Sequence, residues 1–178
     1  MQEPADSPLR QSSGRALRSG SGQALRQGPG EARHWCFGCG ERNPEGLRIE
    51  FQADGRQVSG RFTARDVHQG YPGVAHGGIA AAVLDEAMGW AMYAAGAWAM
   101  TARMEVKYRR PLPLGEELSV TAQVVRERGR WLEAVGELRT SSGELLAQAK
   151  GLFMRMPRDR AREMQRFFLG DAEQPARS

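Results

Sequence analysis

The chain has 178 residues, enough for one domain with a full hydrophobic core plus some tail. With 40% hydrophobic and 26% charged residues it has the composition of an ordinary soluble globular protein. Its formal charge of +4 is carried almost wholly by arginine, because Lys107 and Lys150 are the only lysines, and no basic run is interleaved with aromatics; that excludes an argument for nucleic acid and leaves room for an anionic small ligand.

Residues 1–33 are rich in Arg, Ser, Gly and Gln, which predicts a disordered tail. They lack an apolar core segment, so no secretory signal is read there, and Glu3, Asp6 and Glu31 weigh against an organelle transit peptide. A cytoplasmic protein is expected. Two cysteines follow, Cys36 and Cys39 in "CFGCG". No second cysteine pair exists to complete a four-ligand zinc site in one chain, so neither a metal nor a cofactor is assigned. A redox dithiol lacks its usual strand-then-helix setting, since "ERNPEG" reads as a turn; two reduced cysteines in a structured turn is the plainer reading.

A globular domain is expected over 34–156. "LRIEFQA" (47–53) and "QVSGRFT" (57–63) alternate apolar and polar residues around a "DG" hairpin signal. "ARDVHQGYPGVAHGG" is a loop dense in Gly and Pro. It runs into "IAAAVLDEAMGWAMYAA", a helix apolar nearly all round and therefore expected at the centre of the fold. Residues 79–100 tempt a membrane reading, but the acidic pair near the start and nearby glycines favour a buried helix.

Four strands are predicted next. "TARMEVKYR" (101–109) alternates strictly, with Ala102, Met104, Val106 and Tyr108 on one face and Thr101, Arg103, Glu105, Lys107 and Arg109 on the other. "LSVTAQVV" (118–125), "WLEAVGELRT" (131–140) and "ELLAQAKGLFMRM" (144–156) complete the set. Residues 157–178 read as a terminal helix and tail. The order of two strands, one long helix and four strands defines an α+β fold: an antiparallel sheet of about five to six strands around one central helix. The exposed sheet edges favour a homodimer.

Two features of the helix point to chemistry. Gly77 and Gly78 open it, where the first amide groups lack intrahelical partners and the dipole is positive, a setting suited to a developing oxyanion. Gly78, Ala81, Asp85 and Gly89 form a stripe of tiny side chains, so Asp85 looks along a shallow groove. That makes it a candidate base or nucleophile, the alternative being a buried salt bridge with Arg103 or across a dimer. Glu86 points about 100° away, alongside Ile79, Ala82 and Trp90, and is a weaker candidate. Trp90, Trp98 and Trp131 suit core packing or pocket walls, and the Met88, Met92 and Met100 set suits core packing.

"HQGYPGVAHGGIAAAVLDEAMGWA" followed by "TARMEVKYRRPLPLGEEL", with the lead-in "CFGCGERNPEGLRIEF", resembles the hotdog-fold acyl-CoA thioesterases of the PaaI-like group over about residues 35–156. The resemblance implies acyl-CoA hydrolysis in a homodimer or a dimer of dimers. By position it implies Asp85 as the catalytic acid, nine residues after His76, and Gly77 as the oxyanion donor. His76 would orient the substrate carbonyl or brace the loop, and Thr101, reaching in from the partner subunit, would hold the attacking water. Arg109, Arg110 and Arg130 would bind the CoA phosphates. Many relatives carry an Asn six residues before the His; Gly70 stands there in this chain, leaving His68 or Gln69 as candidates for its role. His68 also reads as an ordinary loop histidine. Two other readings remain open: enoyl-thioester hydration or dehydration, with a loop His and Glu86, and a non-catalytic acyl-CoA-binding module.

Overall fold

Alternating side chains and a long Ala/Leu/Met helix arrange themselves in a computed structural model that describes residues 23–24 and 34–169. The tail expectations for the rest of 1–33 and for 170–178 lie outside the described residues. The elements run β1 (Gln23–Ala24), β2 (Glu50–Asp54), β3 (Gln57–Thr63), α1 (Gly77–Ala94), β4 (Ala99–Tyr108), β5 (Glu117–Arg128), β6 (Trp131–Thr140), β7 (Leu145–Arg155) and α2 (Arg158–Leu169). Six of the strands are those expected, and two-residue β1 extends the edge of β2. All pairings are antiparallel, in the order β1-β2-β3-β5-β6-β7-β4.

Helix α1 lies across one face of this sheet and touches β2 through β7. It does so because Val83, Leu84, Ala87, Met88 and Ala91 recur at helical spacing and are completely buried. They meet the inward residues of the sheet, such as Leu118, Val120, Leu132, Leu138 and Phe153. Each large apolar side chain buried this way stabilises the fold by about 1.5–3 kcal/mol. The placement therefore follows from the pattern.

The helix is not buried all round, as its composition suggested. Gly77 and Gly78 are exposed, and Ala81, Ala82, Asp85 and Gly89 are half-buried. One sheet can cover only one side of a helix, and the uncovered side carries the small residues. Beside it runs β4, which pairs with β7 on one edge and ends the sheet on the other. No helix among the described residues is long and apolar enough to cross a membrane.

Aromatic contacts close the end of the molecule opposite the helix entrance. Phe51, Trp90, Tyr93, Trp98 and Phe168 stack in succession at centroid distances between 5.3 and 5.9 Å, tying β2 and α1 to α2. In α2 it is Phe168 that packs on the core, whereas Phe167 is mostly exposed. Trp131 is also substantially exposed, in a groove with Arg126, Arg128 and Glu133. Met88 and Met92 are core residues, but Met100 is exposed at the β4 edge.

Candidate functional site

The helix entrance is built by its own cap. His76 adopts an extended conformation (φ −59°, ψ 139°), and its Nδ1 accepts from the Gly78 N–H at 3.0 Å. Its carbonyl accepts from Ile79 at 2.8 Å. Of the first three helical amides, that leaves the Gly77 N–H without an acceptor among the described residues. Tyr108, which served in the sequence only as a landmark for counting, donates its hydroxyl to the Gly77 carbonyl at 3.1 Å and so ties the end of β4 to the start of α1.

Two turns along the helix, the Thr101 hydroxyl donates to Asp85 Oδ1 at 2.7 Å. Strict alternation along β4 put Thr101 on the face opposite Tyr108. The structure corrects this: the register with β7 slips between Thr101 and Arg103, leaving Ala102 as an extra residue in a β-bulge. One extra residue inverts the alternation, so Ala99 and Thr101 share the helix side with Met104 and Val106. A second correction follows, because Thr101 meets Asp85 of its own chain rather than entering from a neighbour. Among the described residues Asp85 forms no salt bridge, so the alternative of an ion pair with Arg103 is not realised.

The two features also lie apart. Eight residues separate Gly77 from Asp85, a rise of about 12 Å along the helix axis. One carbonyl group cannot reach both within a chain, since reacting atoms must approach to about 3–3.5 Å.

Comparison with known proteins bears on what this geometry serves. Residues 72–147, from the loop before α1 through to β7, match the family model described as the thioesterase superfamily. A solved thioesterase superfamily protein, RHA08564, superposes with a TM-score of 0.62 at 33% identity, over 65% of this chain and 60% of that one. The chain has the hotdog fold of these proteins, and residues 72–147 resemble the thioesterase superfamily. The PaaI protein of E. coli has the same fold, with a TM-score of 0.59 at 21% identity over 62% of this chain and 81% of that one. The acyl-coenzyme A thioesterase THEM4 of Rattus norvegicus is 31% identical over 93 residues, 52% of this chain and 40% of that protein. The chain thus spans less than half the length of that relative.

At Gly70, where the resemblance implies Asn, the loop before α1 departs in a way the structure explains. A Cβ at Gly70 would lie 2.9 Å from the Cα of His76, because the strand-like pair Gln69–Ala75 and the bond from His76 N–H to the His68 carbonyl draw the loop shut. No side chain fits there without moving backbone. Replacing Gly70 by Ala is expected to cost about 1–3 kcal/mol of stability by overpacking, read as a lowered thermal midpoint. Both candidates for the role of the missing Asn are held within this loop. His68 is only 3% exposed, accepting from Arg65 N–H at 3.1 Å and lying 3.4 Å from the Glu45 carbonyl. Gln69 accepts from Gly73 N–H at 3.1 Å and braces the loop. The reading of His68 as a surface histidine is corrected accordingly.

The three arginines do not meet in one chain. Arg109 and Arg110 follow β4 at the Tyr108 end, and Arg110 pairs with Glu144 at 3.1 Å. Arg130 sits in the β5–β6 turn at the other end of β7, with a guanidinium nitrogen 2.8 Å from Met154 Sδ. That is also the Thr101 end, since β7 Met154 pairs with Met100.

Glu86 has another environment altogether. Trp90 Nε1 donates to it at 3.1 Å, and its two carboxylate oxygens lie 3.7 and 3.6 Å from Cys36 Sγ. Burial, and next the charge of Cys36, push its carboxyl up to about 7. The thiol of Cys39 donates to Cys36, which draws Cys36 down to about 5 and raises Cys39. Cysteine spacing alone does not reveal this cluster, because its third member lies on α1, 47 positions beyond Cys39.

Proposed function

We propose that this chain hydrolyses an acyl-CoA thioester to the free acid and CoA. The observation that carries the reading is the 2.7 Å bond from Thr101 to Asp85 on the uncovered, small-residue side of α1. A carboxylate held by a hydroxyl, at the foot of a groove walled by Gly and Ala, is poised as a general base or nucleophile. The name of the rat relative, an acyl-coenzyme A thioesterase, supports the substrate class.

The rise of about 12 Å between Gly77 and Asp85 argues for a site composed across a homodimer. Pairing β4 edges about a two-fold axis sets the two α1 helices antiparallel, so the helix entrance of one chain faces Asp85 of its partner. Arg109 and Arg110, beside the entrance, then come to the partner's Arg130 at the Thr101 end, a basic set for the CoA phosphates. Further association into a dimer of dimers, a cytoplasmic setting, and the extent 34–156 for the catalytic domain go with this reading.

In the reaction, the thioester carbonyl oxygen accepts from the Gly77 N–H. His76 braces that amide's turn. Asp85 either removes a proton from water as it attacks the carbonyl carbon, or attacks directly to form a mixed anhydride that water then cleaves. The carbon–sulfur bond breaks and CoA leaves as the thiolate, which takes up a proton. Thr101 orients the carboxylate and the water.

Thr101→Ala should lower kcat roughly 10–100-fold, the range for a lost hydrogen bond to a charged group, while Thr101→Ser stays near wild type. Thiol release over acyl-CoAs of different length and aromaticity tests the proposal; stoichiometric binding without turnover, or loss of an enoyl chromophore without free thiol, would overturn it. A hydratase using Glu86 and a loop histidine has less support, because Glu86 is engaged by Trp90 and Cys36, and His68 is buried under the loop.

A further inference from the structure

About 100° around α1 from Asp85 lies a group that the hydrolysis does not use. Cys36, Cys39 and Glu86 each offer a ligand atom, and the three atoms lie within 4.8 Å of one another. We propose that they form a binding site for one divalent cation of the zinc class. Three observations carry this.

The first is spacing. A tetrahedral zinc ion holds sulfur at about 2.3 Å and carboxylate oxygen at about 2.1 Å, which places sulfur and oxygen about 3.5 Å apart. The Glu86 oxygens are 3.6 and 3.7 Å from Cys36 Sγ. The Cys36–Glu86 pair therefore already has the spacing that a shared cation imposes.

The second is the turn that presents the thiols. Gly40 N–H returns to the Cys36 carbonyl at 2.9 Å. His34 Nδ1 accepts from Cys36 N–H at 3.3 Å at the start of the turn. This hydrogen-bonded knuckle aims both sulfurs to one side, toward α1. Gly38 is what admits the carboxylate: a Cβ there would lie 2.4 Å from Glu86 Cδ and Oε2. The glycines of "CFGCG" therefore bring a carboxylate against two thiols, which a merely structured turn has no need to do.

The third is charge. Cys39 is buried, and Cys36 and Glu86 are half-buried. Three acidic donors side by side in a low-dielectric setting repel when ionised, and a divalent cation offsets most of that charge. Two thiolates with one carboxylate and a fourth position for water match zinc, whereas magnesium and calcium take oxygen donors. A Cys36–Cys39 disulfide would instead remove both sulfur donors and leave Glu86 with Trp90.

The bound ion would staple the segment before β2 to α1 at the residue next to Asp85. It would stabilise the fold in proportion to the logarithm of its concentration above Kd.

The test uses the full chain, reduced and stripped with a chelator, then titrated with Zn²⁺ against a chromophoric competitor and separately with Co²⁺. One equivalent should bind, with a sulfur-to-cobalt charge-transfer band, and Zn²⁺ should slow alkylation of both thiols. Cys36→Ser and Cys39→Ser should each weaken binding about 100-fold or more, and Glu86→Gln about tenfold or more. If those variants do not fold, the Co²⁺ spectrum and thiol protection of the unmutated chain decide. A cobalt spectrum without a sulfur band, affinity unchanged in Glu86→Gln, or a disulfide in the reduced preparation overturns the site.

Discussion

Replacing Asp85 by Asn lowers kcat/KM for acyl-CoA hydrolysis by about 10²–10⁴-fold, the range set by a lost general base. The amide keeps the shape of the carboxylate and can still accept from the Thr101 hydroxyl, now held 2.7 Å away. What disappears is the capacity to take a proton from water or to attack carbon. Fold and substrate affinity should therefore persist, so the loss falls on kcat and leaves KM near its original value. Circular dichroism and the thermal midpoint check the fold, and thiol release reads the rate. Turnover within threefold of the unmutated chain on every acyl-CoA that it cleaves removes Asp85 from the chemistry.

Mixing two inactive variants restores activity if the site is shared between chains. Gly77→Pro is the companion to Asp85→Asn because it removes the amide hydrogen. Proline suits the first helical position, and the extended His76 (φ −59°, ψ 139°) is the conformation preferred before proline. A Cβ at Gly77 meets nothing nearer than Tyr108, at 3.6 Å. In a mixed dimer, one site combines the intact Gly77 of one chain with the intact Asp85 of the other. With random exchange, half the dimers are mixed and each holds one working site of two, so about a quarter of wild-type activity returns. Asp85→Asn mixed with Thr101→Ala recovers only the residual rate of the Thr101 variant, because those two residues belong to one chain's half of the site. No recovery in the first mixture, with subunit exchange verified, overturns the composite site.

The elements were legible in the residues because burial imposes periodicity. β3 (Gln57–Thr63) and β6 (Trp131–Thr140) have the expected bounds, and α1 begins at the glycine pair that follows its histidine cap. Asp85 stood out for a physical reason as well, since an acid among small apolar residues is costly without a purpose. The exact faces were less accessible. Alternation alone puts Thr101 on the wrong side of β4, because a bulge at Ala102 adds one residue against β7 and nothing local in "TARMEVKY" announces it. His68 was read as a surface residue because its burial depends on Arg65 and on the distant Glu45 carbonyl.

The sequence by itself determined the α+β order of elements, the central helix, its small-residue stripe and the two ends of the stripe, all set by local pattern. Tertiary structure decided what those residues meet. It brought Thr101 to Asp85 through the bulge and Tyr108 to the Gly77 carbonyl. It also brought Glu86, the lesser of the acidic pair, to the two cysteines of "CFGCG". The reason is that adjacent residues on a helix diverge by about 100°, so Asp85 and Glu86 face different parts of the chain. Which parts those are depends on how sheet and knuckle fold around α1, and contacts between positions far apart in sequence leave no periodic trace.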